Sequence, residues 1–154
     1  MRVTFCGHAV VSEYSKVEGW LREVVTHLIA EGATIFYIES YGDFDWLAAS
    51  AVWEEQKKHA NVLTTLVMPY PRAKIDTSRY GYSVYPPMES APIRFAVSKR
   101  NLQIVETSDV VVAYVTHERS EAAKTLHYAR HKQKKIIQFP IILPNPPPCP
   151  HTPW

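Results

Sequence analysis

Three carboxylates flank one glycine in the run Glu39-Ser40-Tyr41-Gly42-Asp43-Phe44-Asp45, where an apolar segment gives way to a helical one. In open α/β sheets the loop after a strand's C-terminal end is where ligands sit. A helix opening there presents free N–H groups and a positive dipole end that suit a phosphate. Glu39 and Asp43 stand where a phosphate cradle wants glycine, because a side chain keeps backbone N–H groups away from the anion. The pattern therefore points to a nucleotide-type site with an altered ligand or altered chemistry. A carboxylate at Glu39 can act as nucleophile or base on an N-glycosidic bond, or it can accept ribose hydroxyls. Cys6, His8, Asp43, Asp45 and His117 also fall near strand ends. They lack the close ligand spacing of a zinc site, so neither a metal nor a cofactor is expected.

The elements that must position these residues alternate in type. Val3 to Cys6 reads as a short strand ending in Gly7-His8. Ser15-x-x-Glu18 has the form of a capping box. Val17, Trp20, Leu21, Val24, Val25, Leu28 and Ile29 then recur at helical spacing until Gly32. Thr34 to Ile38 is a second strand, apolar enough to be covered on both faces. A sharp turn at Gly42 leads to a helix over about 44–59, followed by a strand from Val62 to Met68. A helix over 93–107, a strand at 109–115, a small-residue helix at 122–131 and a strand from Lys135 to Phe139 complete the pattern. The expected fold is a single α/β, Rossmann-like domain. It has five parallel strands in βαβαβαβαβ order and helices on both faces of the sheet.

Two stretches break the rhythm. Residues 69–92 are too long for a plain connection. They interleave Tyr70, Arg72, Lys74, Arg79, Tyr80, Tyr82 and Tyr85, a mixture that can stack on a base and hold a phosphate, or simply cover the core's edge. From Pro140 onward the chain carries seven of its twelve prolines. That composition excludes helix and central strand, so the domain is placed at 1–139 and a proline-rich tail at 140–154.

Composition narrows the function classes. The chain has 154 residues, 46% hydrophobic and 21% charged, which suits one domain with an ordinary core. Cys6 and Cys149 form no disulfide framework, and no apolar run reaches membrane length, so a cytoplasmic protein without membrane attachment is expected. A net charge of +2 with no basic stripe argues against nucleic acid as a partner. The apolar tail from Ile141 to Trp154 points to a homo-oligomer, since so much exposed apolar surface is unusual on a monomer.

Three blocks together resemble the SLOG superfamily, the Rossmann-like group that includes Smf/DprA and the LONELY GUY phosphoribohydrolases. They are Phe5-Cys6-Gly7-His8, then Glu39 to Asp45 with Ala48-Ala49, and Phe95 to Ala129 with its SKRN and YVTHERSEAAKTLHYA runs. Within the superfamily the likeness is to a small single-domain bacterial branch. The departures matter as much as the matches. That branch typically reads Gly-Gly-Tyr-Gly-Gly-Phe-Asp where this chain has Glu39 to Asp45, and a Gly-Gly pair where it has Ser120-Glu121. Against the Gly-Gly-x-Gly-Thr-x-x-Glu of LONELY GUY enzymes, Lys124 matches the threonine and His127 the catalytic glutamate. Arg100 matches an arginine those enzymes also use.

The resemblance implies that the chain binds a nucleotide or an ADP-ribose-like signal, for sensing or sequestration, without phosphoribohydrolase turnover. The alternative it permits is an N-glycosidase, phosphoribohydrolase or deoxyribosyltransferase-type enzyme, with Arg100 orienting the ligand and Glu39 or Asp45 supplying the carboxylate. The expected ligand residues follow consecutive strand ends: Gly7 and His8; Ser40, Tyr41, Gly42 and Asp43; Thr116, His117 and Ser120. Arg94, Arg100 and Asn101 join from the third helix, and Lys124 offsets the added negative charge.

Overall fold

The computed structural model describes residues 1–39, 42–68, 80, 82–84 and 93–140, with side chains throughout except at 82–84 and 93–97. Its elements are β1 (Arg2–Gly7), α1 (Tyr14–Ala30), β2 (Ile35–Ile38), α2 (Asp43–Gln56), β3 (Leu63–Val67), β4 (Tyr82–Val84), α3 (Ile93–Thr107), β5 (Val110–Tyr114), α4 (Glu121–His131) and β6 (Lys135–Gln138). All strand pairings are parallel, in the order β4-β3-β2-β1-β5-β6. The five expected strands and four helices are present. A sixth short strand lies inside the stretch expected to be loop, where Thr65 to Val67 pair with Tyr82 to Val84. The open backbone edge of β3 satisfies its hydrogen bonds this way.

Strand alternation sorts the core into two layers. Val3 and Phe5 of β1 and Val110, Val112 and Tyr114 of β5 pack beneath α1 and α2, with Val17, Leu21, Phe36, Phe44 and Val52. Cys6, Val111, Ala113 and Val115 face the other way, onto Val105 of α3 and Leu126 and Ala129 of α4. Both faces of β5 are buried, so its sequence is apolar without a break. Each of the valine, leucine and phenylalanine side chains among them contributes about 1.5 to 3 kcal/mol when fully buried.

Helix termini differ from the sequence expectation in instructive ways. The Ser15-x-x-Glu18 capping box is not formed. α1 opens two residues earlier, behind Glu13, and no side chain caps it. Its amphipathic face, with Val17, Leu21, Val25 and Leu28 buried, fixes the helix without that cap. Gly32 does end the helix in the left-handed region, at φ +106°. α2 stops at Gln56, short of His59. The tail beyond Pro140, including Cys149 and Trp154, lies outside the described residues, as do Tyr70, Arg72, Lys74, Arg79 and Tyr85.

Gly42 serves close packing and not a sharp turn. Its backbone is extended (φ −176°, ψ −163°), which any residue adopts. A Cβ there would sit 2.4 Å from Ala9 Cα and 2.6 Å from Ala9 O. Gly7 is equally constrained, with an added Cβ 2.2 Å from the Phe44 ring. These two glycines let the start of α2 dock against the loop after β1. Gly42→Ala is therefore expected to cost about 1 to 3 kcal/mol, the usual penalty of forcing a methyl group into filled space. Urea denaturation will measure it, and an unchanged midpoint would mean that the loop gives way freely.

Candidate functional site

Strand order reverses around β1, whose neighbours are β2 on one side and β5 on the other. At the C-terminal end of this switch point lies a cavity of about 200 Å³, walled by β1, the end of β2 and helices α2, α3 and α4. Its polar lining consists of Glu39, Asp45, Arg100, Asn101, Glu121 and Thr125. Gly7 from β1 completes the part of the expected set found here.

Arg100 organises this cavity. It sits on α3 with 1% of its surface exposed, and its Nη2 donates to Glu39 Oε2 at 2.8 Å. Nε and Nη2 also donate to Asn101 Oδ1, at 3.1 and 2.8 Å. The fork geometry of a guanidinium matches such paired acceptors and fixes the side chain's direction. Asp45, 8% exposed in the first turn of α2, brings a second carboxylate into the same charge field. Burial pushes the Glu39 carboxyl up to about 8; the Arg100 guanidinium opposes the rise and Asp45 adds to it. One buried cation thus serves a carboxylate-rich wall, and a proton is held there near neutral pH.

Cys6 closes the floor, its Sγ donating to Ala122 O at 3.1 Å. Burial first, then the charges of Glu39 and Asp45, push this thiol far up, so it stays protonated and unreactive. Among the described residues no three His, Cys, Asp or Glu side chains converge to hold a metal ion.

The remaining expected residues divide into other roles. Asp43 belongs to the loop scaffold: its Oδ2 accepts from Val11 N at 3.1 Å and its own N–H donates to Ala9 O at 2.7 Å. Ser120 caps α4, its Oγ accepting from Ala123 N at 3.0 Å. Thr116, His117 and Lys124 line a separate, larger cleft on the β6 side of α4, together with His127, the position matched to a catalytic glutamate. Ser40 and Tyr41 lie outside the described residues, and so does the side chain of Arg94.

Residues of α4 outside the expected ligand set also line the cavity, as do Phe5, Cys6 and Ala9. Glu121, Ala122 and Thr125 face the cavity from the first turns of α4, and Ser98 Oγ of α3 donates to Glu121 Oε2 at 3.0 Å. Their i, i+1, i+4 spacing is the signal that places them on one helical face.

His8 links the two regions. Its Nε2 accepts from Thr116 N at 2.8 Å, and its ring stacks on His117 with centroids 4.2 Å apart and planes 1° from parallel. Burial, then the neighbouring His117, lowers its pKa from the ordinary histidine value. A nitrogen that accepts from an N–H must be unprotonated, so the contact exists only with a neutral ring. The sign is that of a depressed base: the contribution to stability is present above pH 6.5 and is lost as pH falls through the lowered folded value. The Thr116 amide should accordingly lose exchange protection at pH 5 relative to pH 7.5. His8→Phe, which keeps a ring without the acceptor, should show weak protection at both. Protection at pH 7.5 no greater in the native protein than in His8→Phe would refute the contact.

The switch-point cavity and the doubly wound parallel sheet define a Rossmann-like domain. No known family model matches the sequence, and no curated protein matches it. Solved structures do match. The chain is similar to DNA processing protein A from Helicobacter pylori, described for its unique single-stranded DNA binding mode, with TM-score 0.66 and 17% identity over 93% of this chain and 66% of that one. DprA from Streptococcus pneumoniae gives TM-score 0.70 and 17% identity over 94% of this chain and 52% of that one. The Moco carrier protein from Chlamydomonas reinhardtii gives 0.56 and 16%, over 89% and 74%. The chain therefore spans about half to two thirds of the two DNA processing proteins, and what it shares with them is the Rossmann-like fold.

This likeness corrects one expectation. The net charge of +2 counted against nucleic acid, yet nearly the whole chain shares its fold with a protein that has a single-stranded DNA binding mode. Single strands are held by ring stacking and a local cationic groove, neither of which appears in a net charge. No described helix is long and apolar enough to cross a membrane.

Proposed function

We propose that the chain binds a nucleotide, free or as a unit of single-stranded nucleic acid, at the C-terminal edge of its sheet, with recognition and not phosphoribohydrolase turnover as its task. The observation that carries this reading is the Arg100–Glu39–Asn101 cluster at the switch point. Carboxylates accept hydrogen bonds, so the wall suits the hydroxyls of a ribose or the amino edge of a base and repels a phosphate. A volume of about 200 Å³ holds one such ring and leaves the phosphate at the mouth. An ADP-ribose-like signal presents the same sugar chemistry.

A second reading has its own support. A carboxyl raised to about 8 beside a second carboxylate is the pairing that N-glycosidic cleavage needs, with Glu39 as proton donor and Asp45 as the ionised partner. One experiment separates the two. The protein is incubated with nucleoside monophosphates, NAD and a short thymidine oligonucleotide, and free ligand, free base and ligand recovered after heat denaturation are measured by chromatography. Ligand depleted from solution and recovered intact supports recognition. Released base in repeated turnovers, abolished by Glu39→Gln, replaces it with the enzymatic reading.

A further inference from the structure

The larger cleft lies between α4 and the C-terminal ends of β5 and β6, and its volume of about 720 Å³ is that of a nucleotide-sized site. Its charge is opposite in character to that of the switch-point cavity. His117, Lys124, His127 and Arg130 face it, with Glu118 the one carboxylate among its lining residues. Arg130 is held in place by a neutral partner, its Nη2 donating to Gln138 Oε1 at 2.9 Å. Lys124, the other cation beside it, pairs with Glu121 at 3.3 Å one helical turn away, an exposed contact weak enough for a phosphate to displace. Among the described residues no carboxylate comes within ion-pair distance of Arg130. A planar guanidinium oriented by an amide, with its charge unmatched in a concave site, is suited to a phosphate.

The rest of the cleft suits a base. Val115, Ala123 and Leu126 give it an apolar floor. The exposed His117 ring is backed by His8, which the Thr116 N–H holds in position. A ring fixed from behind and open in front is a stacking platform, and stacking combined with cations is how single-stranded nucleotides are held.

We propose that this cleft is a second ligand site, separate from the Arg100 cavity, which binds a nucleotide through its phosphate on Lys124 and Arg130 and its base on His117. The source of the nucleotide is either a free monophosphate or a single strand. In the first case thymidine 5′-monophosphate binds as tightly as a hexathymidine oligonucleotide; in the second the oligonucleotide binds markedly tighter.

The test follows backbone amide shifts of the whole chain during titration with each of these two probes. Shifts are expected at Thr116, His117, Lys124, Arg130 and Gln138. Arg130→Ala and Lys124→Ala should each weaken binding about 3- to 10-fold, and the salt dependence of oligonucleotide binding should flatten by about 0.7 in logarithmic slope for each cation removed. Both residues are exposed, so neither change threatens the fold. The shifts are read at this cleft and separately at Gly7, Glu39 and Arg100, so that failure of the switch-point reading does not remove it. Shifts confined to the surroundings of Gly7, Glu39 and Arg100 would overturn the proposal. So would unchanged affinity in the double variant, or no binding of either probe.

Discussion

Replacing Arg100 with methionine should lower stability by about 3 to 5 kcal/mol at pH 8, the usual cost of stranding the partners of a buried ion pair. For a chain of this length that corresponds to a fall in Tm of roughly 10 °C. Methionine fills much of the arginine's volume, so the loss reports charge and hydrogen bonding more than a cavity. Glu39 loses the 2.8 Å bond to Nη2, Asn101 Oδ1 loses two donors, and the cavity that Asp45 also lines loses its cation. The cost should be smaller at pH 5, where Glu39 is protonated with or without Arg100; at pH 8 and above the carboxylate depends on the guanidinium. Adding Glu39→Gln should recover part of it, since removing both partners costs less than removing one. Urea titrations at the two pH values check this. A loss under about 1 kcal/mol at pH 8 would show that the cluster is not what holds α3 against the strand ends.

Glu39→Gln by itself should act in the opposite direction. The carboxyl titrates at about 8 in the fold, against 4.5 for an ordinary glutamate. Between those values the folded state keeps a proton that the unfolded chain has released. Glu39 therefore contributes stability that is complete below pH 4.5 and is lost as pH rises through 8. The native protein should lose on the order of 3 kcal/mol relative to the glutamine variant between pH 5 and pH 8.5. The variant, isosteric and unable to ionise, should show a flatter profile and the higher stability at alkaline pH. Parallel profiles would mean that Glu39 titrates as an ordinary exposed carboxyl, and the proton-donor role in the enzymatic reading would fall with it.

Much of the fold was legible because the relevant forces are local and repetitive. The unbroken apolar run in Val110 to Tyr114 announces a strand covered on both faces, and the helical spacing of Val17, Leu21, Val25 and Leu28 announces the face that α1 buries. The capping box was a weaker signal and did not form, because a few tenths to a couple of kcal/mol from a cap yield to the packing of a whole helix face. The strand Tyr82–Val84 was not legible. A three-residue edge strand has too few residues to show a period, and its pairing depends on where β3 leaves an open edge.

The sequence by itself determined the alternation of strands and helices, hence the parallel sheet, and it placed Glu39 and Asp45 at strand ends with Arg100 on the helix that packs beside them. Those facts depend on side-chain periodicity and on which residue follows which strand. Only the tertiary structure decided how the expected residues divide. It put Glu39, Asp45, Arg100 and Asn101 in one carboxylate-rich cavity, and His117, Lys124, His127 and Arg130 in another cleft. It made Gly7 and Gly42 points of close packing, Gly7 also lining the cavity, and Asp43 a bracket for the loop after β1. The reason is geometric. Glu121, Ala122 and Thr125 lie on one face of α4 and Ala123, Lys124 and His127 on another, so one helix walls both sites.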